Sequence, residues 1–224
     1  MPIPPEEVEE LVLTWYRVLD ARAKEGVGPG PVSCKAGCSH CCYQQTALFV
    51  PEGITIALEV SRWPDWRLWV ERLVEVARVA CEPESMERET WFRRHIPCPF
   101  LTAENLCRIY DRRPGACRWH RVASPSANCA LGAEDPVVLR HDTAAVDGLL
   151  MGVCLDFHRE LGTAVVAGPL PLMVLNGMAE ILGRADRRWL GARTQGLLSP
   201  QEWMRRRAER VAEGEPARLL PVIR

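Results

Sequence analysis

Four cysteines that lie close together early in the chain are the first residues that could do chemistry. They read Cys34-Lys-Ala-Gly-Cys38-Ser-His-Cys41-Cys42. Gaps of three and two residues let a turning backbone direct several sulfurs to one centre, as cysteine-ligated zinc and iron–sulfur sites require. Gly37 suits a sharp reversal between ligands, because a Cβ would obstruct the backbone there. Neighbouring side chains diverge in an extended strand, so we expect one of Cys41 and Cys42 to ligate and the other to support a second metal, a redox step or local packing.

A second set of cysteines lies in the middle of the chain. One short apolar run begins at Cys98, and a second surrounds Cys107. Residues 102–105 separate the two runs, as the connection of a hairpin would. Such a hairpin would place Cys98 and Cys107 near paired positions and present both thiols from one side. Cys117 follows a Pro-Gly pair, in a turn or the first turn of a helix, and Cys129 lies in a loop rich in serine, proline and asparagine. The predicted metal ligands are Cys34, Cys38, Cys41, Cys42, Cys98, Cys107, Cys117 and Cys129.

Three histidines and two further cysteines could bind a metal but are not predicted to be ligands. His40, His95 and His120 lie close to the cysteines, but eight thiolates already exceed the four ligands of one tetrahedral site. We therefore interpret these histidines as supporting or surface residues. Cys81 and Cys154 accompany the apolar stripes of predicted helices and are expected to be core residues. No residue is assigned a catalytic role.

The composition is that of a folded globular protein. The chain has 224 residues, of which 47% are hydrophobic and 25% charged, and its formal net charge is −1. These values exclude a disordered chain, a collagen-like chain and a strongly basic arm that binds nucleic acid. Ten cysteines in this length are too few for a small scaffold held by disulfides. We expect a single domain over residues 1–224, with no nucleic acid as partner.

The start of the chain predicts its compartment. The N-terminal residues combine prolines and acids and contain no basic region followed by an apolar stretch, so secretory export is not indicated. We expect a cytoplasmic protein, because reducing conditions there keep thiols free. Residues 161–179 carry no charge, but Gly162, Gly168, Pro169 and Pro171 interrupt them. We interpret this segment as a loop leading into a buried helix and expect no membrane partner.

Helical periodicity dominates the segments that must position the cysteines. Before and between the two cysteine groups, helices are predicted over 4–24, 51–61, 64–83 and 84–95. Three further helices are predicted within 142–213. The predicted fold is mainly α: a helical domain with a small β-hairpin and an irregular, cysteine-rich metal-binding segment. That metal-binding core spans about 33–130, with the helices 4–24 and 142–213 on either side.

At its cysteines the sequence resembles the CxxCxxCC family, also called YkgJ-like and described as chelating zinc or iron. The resemblance rests on the first cysteine group, on Cys98-Pro-Phe-Leu, and on the string Cys107-Arg-Ile-Tyr-Asp-Arg-Arg-Pro-Gly-Ala-Cys117-Arg. Two features depart from the family pattern. Asn105-Leu106 stands where members often have glycine, and Trp119-His120 replaces a more usual aliphatic or aromatic residue followed by proline.

The resemblance implies metal binding more firmly than it implies a reaction. The flagellin lysine N-methylases resemble this chain in the cysteine pattern and are thought to need an iron–sulfur cluster, which implies a peptide or protein substrate. One hypothesis is therefore an iron–sulfur cluster or iron held by the thiolates, in an enzyme that modifies a peptide, a protein or a small molecule. The alternative is a binding or adaptor module that zinc holds together, without catalytic activity. Tetrahedral thiolate sites accept both zinc and iron, so the spacing leaves both open.

Overall fold

The computed structural model of the chain describes residues 3–25, 32–133, 155, 159 and 166–212. Over these residues the fold is mainly helical with one small sheet, which confirms the predicted fold class. The helices are α1 (Pro5–Glu25), α2 (Val50–Ser61), α3 (Trp66–Ala80), α4 (Arg88–Arg93), α5 (Gly115–Trp119), α6 (Leu170–Ile181), α7 (Arg184–Thr194) and α8 (Pro200–Ala212). Short 3₁₀ helices lie at His40–Tyr43, Pro83–Met86, Tyr110–Arg112 and Ser126–Cys129.

The sheet joins two distant parts of the chain. Strand β1 (Ala47–Phe49) pairs antiparallel with β2 (Ala167–Pro169), so that Leu48 lies opposite Gly168. The hairpin expected between the cysteines of the second group is reduced to a single antiparallel bridge, between Leu101 and Cys107. The structure therefore pairs Cys107 with Leu101 and not with Cys98.

The segment that was predicted as one polar helix over 84–95 is divided in two. A 3₁₀ turn, Pro83–Met86, precedes α4, and Glu87 between them is extended, with φ −81° and ψ 128°. Tertiary contacts account for the break. Met86 is buried in the core, and the carbonyl of Ser85 accepts a hydrogen bond from Gln45 Nε2 at 3.2 Å.

Helix α2 lies at the centre of the molecule, between α1 and α6. Its contact with α6 is close enough to need glycine: a Cβ on Gly177 would lie 2.6 Å from the carbonyl oxygen of Gly53, and one on Gly53 would lie 2.6 Å from that of Met173. Against its other side, α1 packs a stripe of apolar side chains. The buried residues of this second contact are Val8, Val12, Trp15, Tyr16, Leu19, Ile54 and Leu58.

Polar contacts fix α1 to α2 in register. Arg62 holds Glu9 with two hydrogen bonds, of 2.9 and 2.7 Å, and the pKa of Glu9 is lowered chiefly by that bonding. Deeper in the interface, the Tyr16 hydroxyl donates to Glu52 at 3.1 Å.

The C-terminal half of the chain differs from expectation in detail. The buried helix expected near Leu172 begins at Leu170 and follows β2, while α7 was not predicted. The helix expected from Val146 to Leu161 and the core position of Cys154 lie outside the described residues. None of the helices that the structure describes combines the length and the apolar character needed to cross a membrane.

Candidate metal centre

The first cysteine group forms a tight turn followed by one turn of 3₁₀ helix. Gly37 has a φ of +81°, in the left-handed region that glycine adopts without cost, so the predicted reversal is present. Cys38 N–H donates to the carbonyl of Lys35 at 3.1 Å, and Cys42 N–H donates to that of Ser39 at 2.8 Å. The backbone thus curls twice between Cys34 and Cys42 and brings the four thiols to one region.

Cys129 joins this group from a distant part of the sequence. Ser33 N–H donates to the carbonyl of Val122 at 2.9 Å, which fixes the start of the first group beside residues 122–129. The 3₁₀ helices His40–Tyr43 and Ser126–Cys129 then lie against each other. The loop in which the sequence placed Cys129 is therefore folded onto the first group.

The second group is attached to the first by backbone and side-chain hydrogen bonds. Cys98 N–H donates to the carbonyl of Cys42 at 2.7 Å, a direct link between the two groups. At the turn of the second group, Asn105 Oδ1 accepts from the Ser39 hydroxyl at 3.2 Å. Cys107, across the bridge from Leu101, completes this part of the site.

Helix α5 delivers Cys117, and the helical core fixes its position. The Glu52 carboxylate accepts from Gly115 N–H at 2.8 Å, and the same oxygen accepts from Tyr16. A Cβ on Gly115 would lie 2.2 Å from Trp15, so α5 begins in direct contact with α1. The Cys117 thiol lies 3.9 Å from the hydroxyl of Thr46, just before β1.

The eight thiols interact with one another electrostatically, and Cys41 lies at the centre of the set. Cys41 raises the pKa of six other thiols, which are those of Cys34, Cys42, Cys98, Cys107, Cys117 and Cys129. Cys38 takes part as well, because it raises the pKa of Cys34 and Cys129. The structure therefore brings all eight predicted ligands together.

These interactions divide the thiols into two sets around Cys41. We call Cys34, Cys38 and Cys129 the outer set, since they act on one another. We call the other four the inner set, because Cys98 and Cys117 raise the pKa of Cys42, and Cys98 and Cys107 raise that of Cys117. The members of the inner set are Cys42, Cys98, Cys107 and Cys117.

Burial keeps most of these thiols protonated. It raises the pKa of Cys98 to about 12 and is also the largest cause of the raised pKa of Cys34, Cys107, Cys117 and Cys129. A metal must therefore displace protons when it binds, since only the thiolate is a ligand.

Cys41 and Cys42 behave differently because their thiols share a hydrogen bond. That bond lowers the pKa of Cys41 to about 7 and raises the pKa of Cys42. Adjacent cysteines in a 3₁₀ turn can thus face each other, in contrast to the divergence expected in an extended strand. Cys41 is the thiol of this pair that ionises first.

The residues fit a metal by the chemistry of their donors. Eight free thiols that all belong to one region are the ligand type of zinc, iron and iron–sulfur sites. In the part of the chain that the structure describes, no three His, Cys, Asp or Glu side chains are yet arranged so that they could hold a metal ion. Changes of side-chain rotamer would have to bring the sulfurs to about 2.3 Å from a shared ion.

Several residues at the site were not predicted from the sequence. Glu52 is buried and supports α5 from α2, yet a single glutamate in an apolar helix gives no local sign of that role.

His120 was predicted to be a supporting or surface residue. Its Nε2 is buried and meets no hydrogen-bond partner in the described chain. Burial lowers the pKa of His120, so its imidazole is neutral at pH 7.

Comparison with known proteins gives one match. Residues 33–136 match the CxxCxxCC family, whose description reads "Putative zinc- or iron-chelating domain". No curated protein and no solved structure matches the chain. The matched residues include all eight cysteines that the structure brings together. Residues 33–136, which carry the thiol cluster, are thus similar to the CxxCxxCC family.

Proposed function

We propose that the protein holds iron, as an iron–sulfur cluster or as bound iron ions, through its clustered thiolates. The observation that carries this proposal is the number of thiols in one region. Eight sulfurs are twice the number of ligands that one tetrahedral zinc ion uses. Cys41 interacts electrostatically with thiols of both the inner and the outer set. The inner set, with Cys41, supplies the ligands of a first centre. The outer set can support a second.

The protein's own residues prepare the inner set. Cys98 is fixed by its backbone bond to Cys42, and Cys117 is fixed through α5 by Glu52. An iron–sulfur or iron centre held there supplies electron transfer or Lewis-acid chemistry. In this proposal the centre belongs to an enzyme that modifies a peptide, a protein or a small molecule, in a reducing compartment where the thiols stay free.

A second candidate is a zinc-stapled binding or adaptor module. The conformation of the cysteine-bearing segment favours it. Between 33 and 43 and between 97 and 129, the described backbone is made of short 3₁₀ turns, isolated bridge residues and the five-residue α5. Such a segment has little regular structure of its own, so metal binding can supply part of its folding energy.

Anaerobic purification followed by metal and sulfide analysis and a visible spectrum tests both candidates. Iron with acid-labile sulfide and a coloured centre supports the first, and colourless protein with stoichiometric zinc supports the second. Protein that takes up neither metal from iron- or zinc-supplemented medium contradicts both.

Serine substitutions test the ligands. We expect C98S and C117S each to lower the metal content at least about fivefold, because serine is a poor ligand for these metals. C81S is the matched control: Cys81 is half-buried against the core and its sulfur accepts a hydrogen bond from Leu198 N–H. Full metal content in C98S and C117S would show that the inner set is not the site.

A further inference from the structure

A cavity of about 220 Å³ lies where α1 meets the 3₁₀ helix Tyr110–Arg112 and the segment leading to α5. Four arginines and two aspartates line it, with Leu13 and Tyr16 as its less polar wall. The arginines are Arg17, Arg112, Arg113 and Arg118. Positive charge therefore exceeds negative charge among the residues that line this cavity.

Two of the four arginines already have carboxylate partners. Arg112 Nε lies 3.4 Å from Glu9, and Arg118 is paired with Asp20 and also donates to the carbonyls of Arg113 and Asp111. These contacts hold Arg112 and Arg118 in place as part of the wall.

The other two arginines have no carboxylate partner within the described chain. Arg17 lies on the exposed face of α1, and no ion pair or side-chain hydrogen bond connects it to another described residue. The guanidinium of Arg113 stacks on Tyr110, 4.1 Å from the ring centre, and its buried Nε–H meets no acceptor in the described residues. Tyr110 itself is 56% exposed at the rim. Within the described chain, two guanidinium groups with free donors thus line one cavity.

Arg113 also connects the cavity to the cysteines. The next residue, Pro114, accepts a hydrogen bond from Cys117 N–H at 2.9 Å, and the charge of Arg113 also lowers the pKa of Cys41 and of Cys107. An anion held by Arg113 would therefore sit next to the thiol cluster, on the side that faces α1.

We propose that this cavity binds a carboxylate or phosphate group and anchors an anionic substrate beside the metal centre. The planar guanidinium fork matches both oxyanions with paired hydrogen bonds, whereas a lone ammonium would not. The substrate role rests on the function proposed above, whereas binding of the anion itself does not. The ligand class is a small molecule or a side chain with at least one carboxylate or phosphate.

Titration calorimetry on the full-length protein with its metal content measured tests the proposal. The probes are malonate for the carboxylate source, inorganic phosphate for the phosphate source, and malonamide as the uncharged analogue, all at low ionic strength because salt screens these charges. We expect malonate or phosphate to bind and malonamide not to bind. R17Q and R113Q should each raise the dissociation constant about tenfold, which corresponds to a loss of about 1.4 kcal/mol of binding free energy.

R78Q is the matched control. Arg78 is an exposed arginine on α3 whose side chain donates to the carbonyl of Arg193, and it does not line the cavity. Its dissociation constants should stay within twofold of the wild type. The proposal is overturned if neither anion binds, or if R78Q weakens binding as much as R17Q does.

The metal content of the same samples separates the two proposals. Anion binding by a protein that takes up no metal would refute the metal centre alone. Metal-loaded protein that ignores both anions would refute the anion site alone. Arg17 is the more decisive position, because it neighbours no cysteine in sequence and R17Q should leave the metal content unchanged.

Discussion

Asn105 adopts a left-handed backbone conformation, with a φ of +59°, at the turn of the second cysteine group. Glycine and asparagine tolerate this region, whereas β-branched residues are strained there. Members of the CxxCxxCC family often have glycine at this place, so asparagine meets the same requirement of the backbone. Its side chain adds a contact that glycine cannot make, since Oδ1 accepts from Ser39 Oγ at 3.2 Å. The departure from the family pattern thus preserves the turn and ties it to the first group.

We predict that N105V lowers the free energy of unfolding by about 1–2 kcal/mol, because valine must enter the left-handed region. N105G should stay within about 0.5 kcal/mol, since it keeps the backbone and loses only an exposed hydrogen bond. Urea unfolding of samples with equal metal content measures both. A103V is the control, because the neighbouring Ala103 is exposed and has no positive φ. Equal stability of N105V and A103V would contradict the prediction.

The candidate ligands could be predicted at the residue scale because cysteine spacing is local information. The side chains that position them could not. Glu52 meets Tyr16 and Gly115, which are 36 and 63 residues away in sequence, and no local pattern announces such contacts. Arg113 lies beside the cysteines in sequence, but that it also lines a cavity follows only from the tertiary structure.

Among the elements that the structure describes, α2 and α6 make the most extensive contact. Gly53 and Gly177 let the two backbones touch, and the large apolar side chains of both helices are buried around them. Because Glu52 projects from α2 to α5, a displacement of α2 would also move Cys117. The fit between these two helices therefore matters for the site as well as for the core.

We expect G177A to lower the free energy of unfolding by about 2–3 kcal/mol, because its Cβ would meet a backbone oxygen that cannot move aside. G191A is the matched control on α7, where a Cβ meets nothing within 4 Å. It should raise stability by about 0.5–1 kcal/mol through helix propensity. Urea unfolding of both variants checks the opposite signs. A neutral G177A would show that α2 and α6 can separate without loss.

At this scale the sequence predicts helices better than pairings. Apolar periodicity located the ends of α1, α2 and α3 to within about three residues, because an amphipathic face is a local property of the sequence. The pairing of β1 with β2 joins residues that are more than a hundred positions apart, and three-residue strands carry no period to detect. The break at Glu87 depends on what Ser85 and Met86 contact in the core.

In the part of the chain that the structure describes, a cysteine-rich segment made of residues 33–43 and 97–129 lies along a helical core. The core around α2, α3 and α6 buries a large contiguous set of apolar side chains. The cysteine-rich segment contributes few of these, chiefly Phe100 and Ile109, and is otherwise held by turns and single hydrogen bonds. Each of the two sets combines cysteines from residues 33–43 with cysteines from residues 97–129. A metal would therefore join parts of the chain that few other contacts connect.

Metal removal should therefore loosen the segment and spare the core. If the thiolates hold a metal, anaerobic chelation should lower Tm by about 10 °C, since a tightly bound ligand adds several kcal/mol to a chain of this size. Hydrogen exchange should accelerate in 33–43 and 115–129, whereas α2 and α6 stay protected because their amides lie in the packed core. C81S should respond as the wild type does, and restoring the metal should restore protection. Unchanged exchange in the cysteine-rich segment after complete metal removal would show that its contacts with the core suffice to fold it.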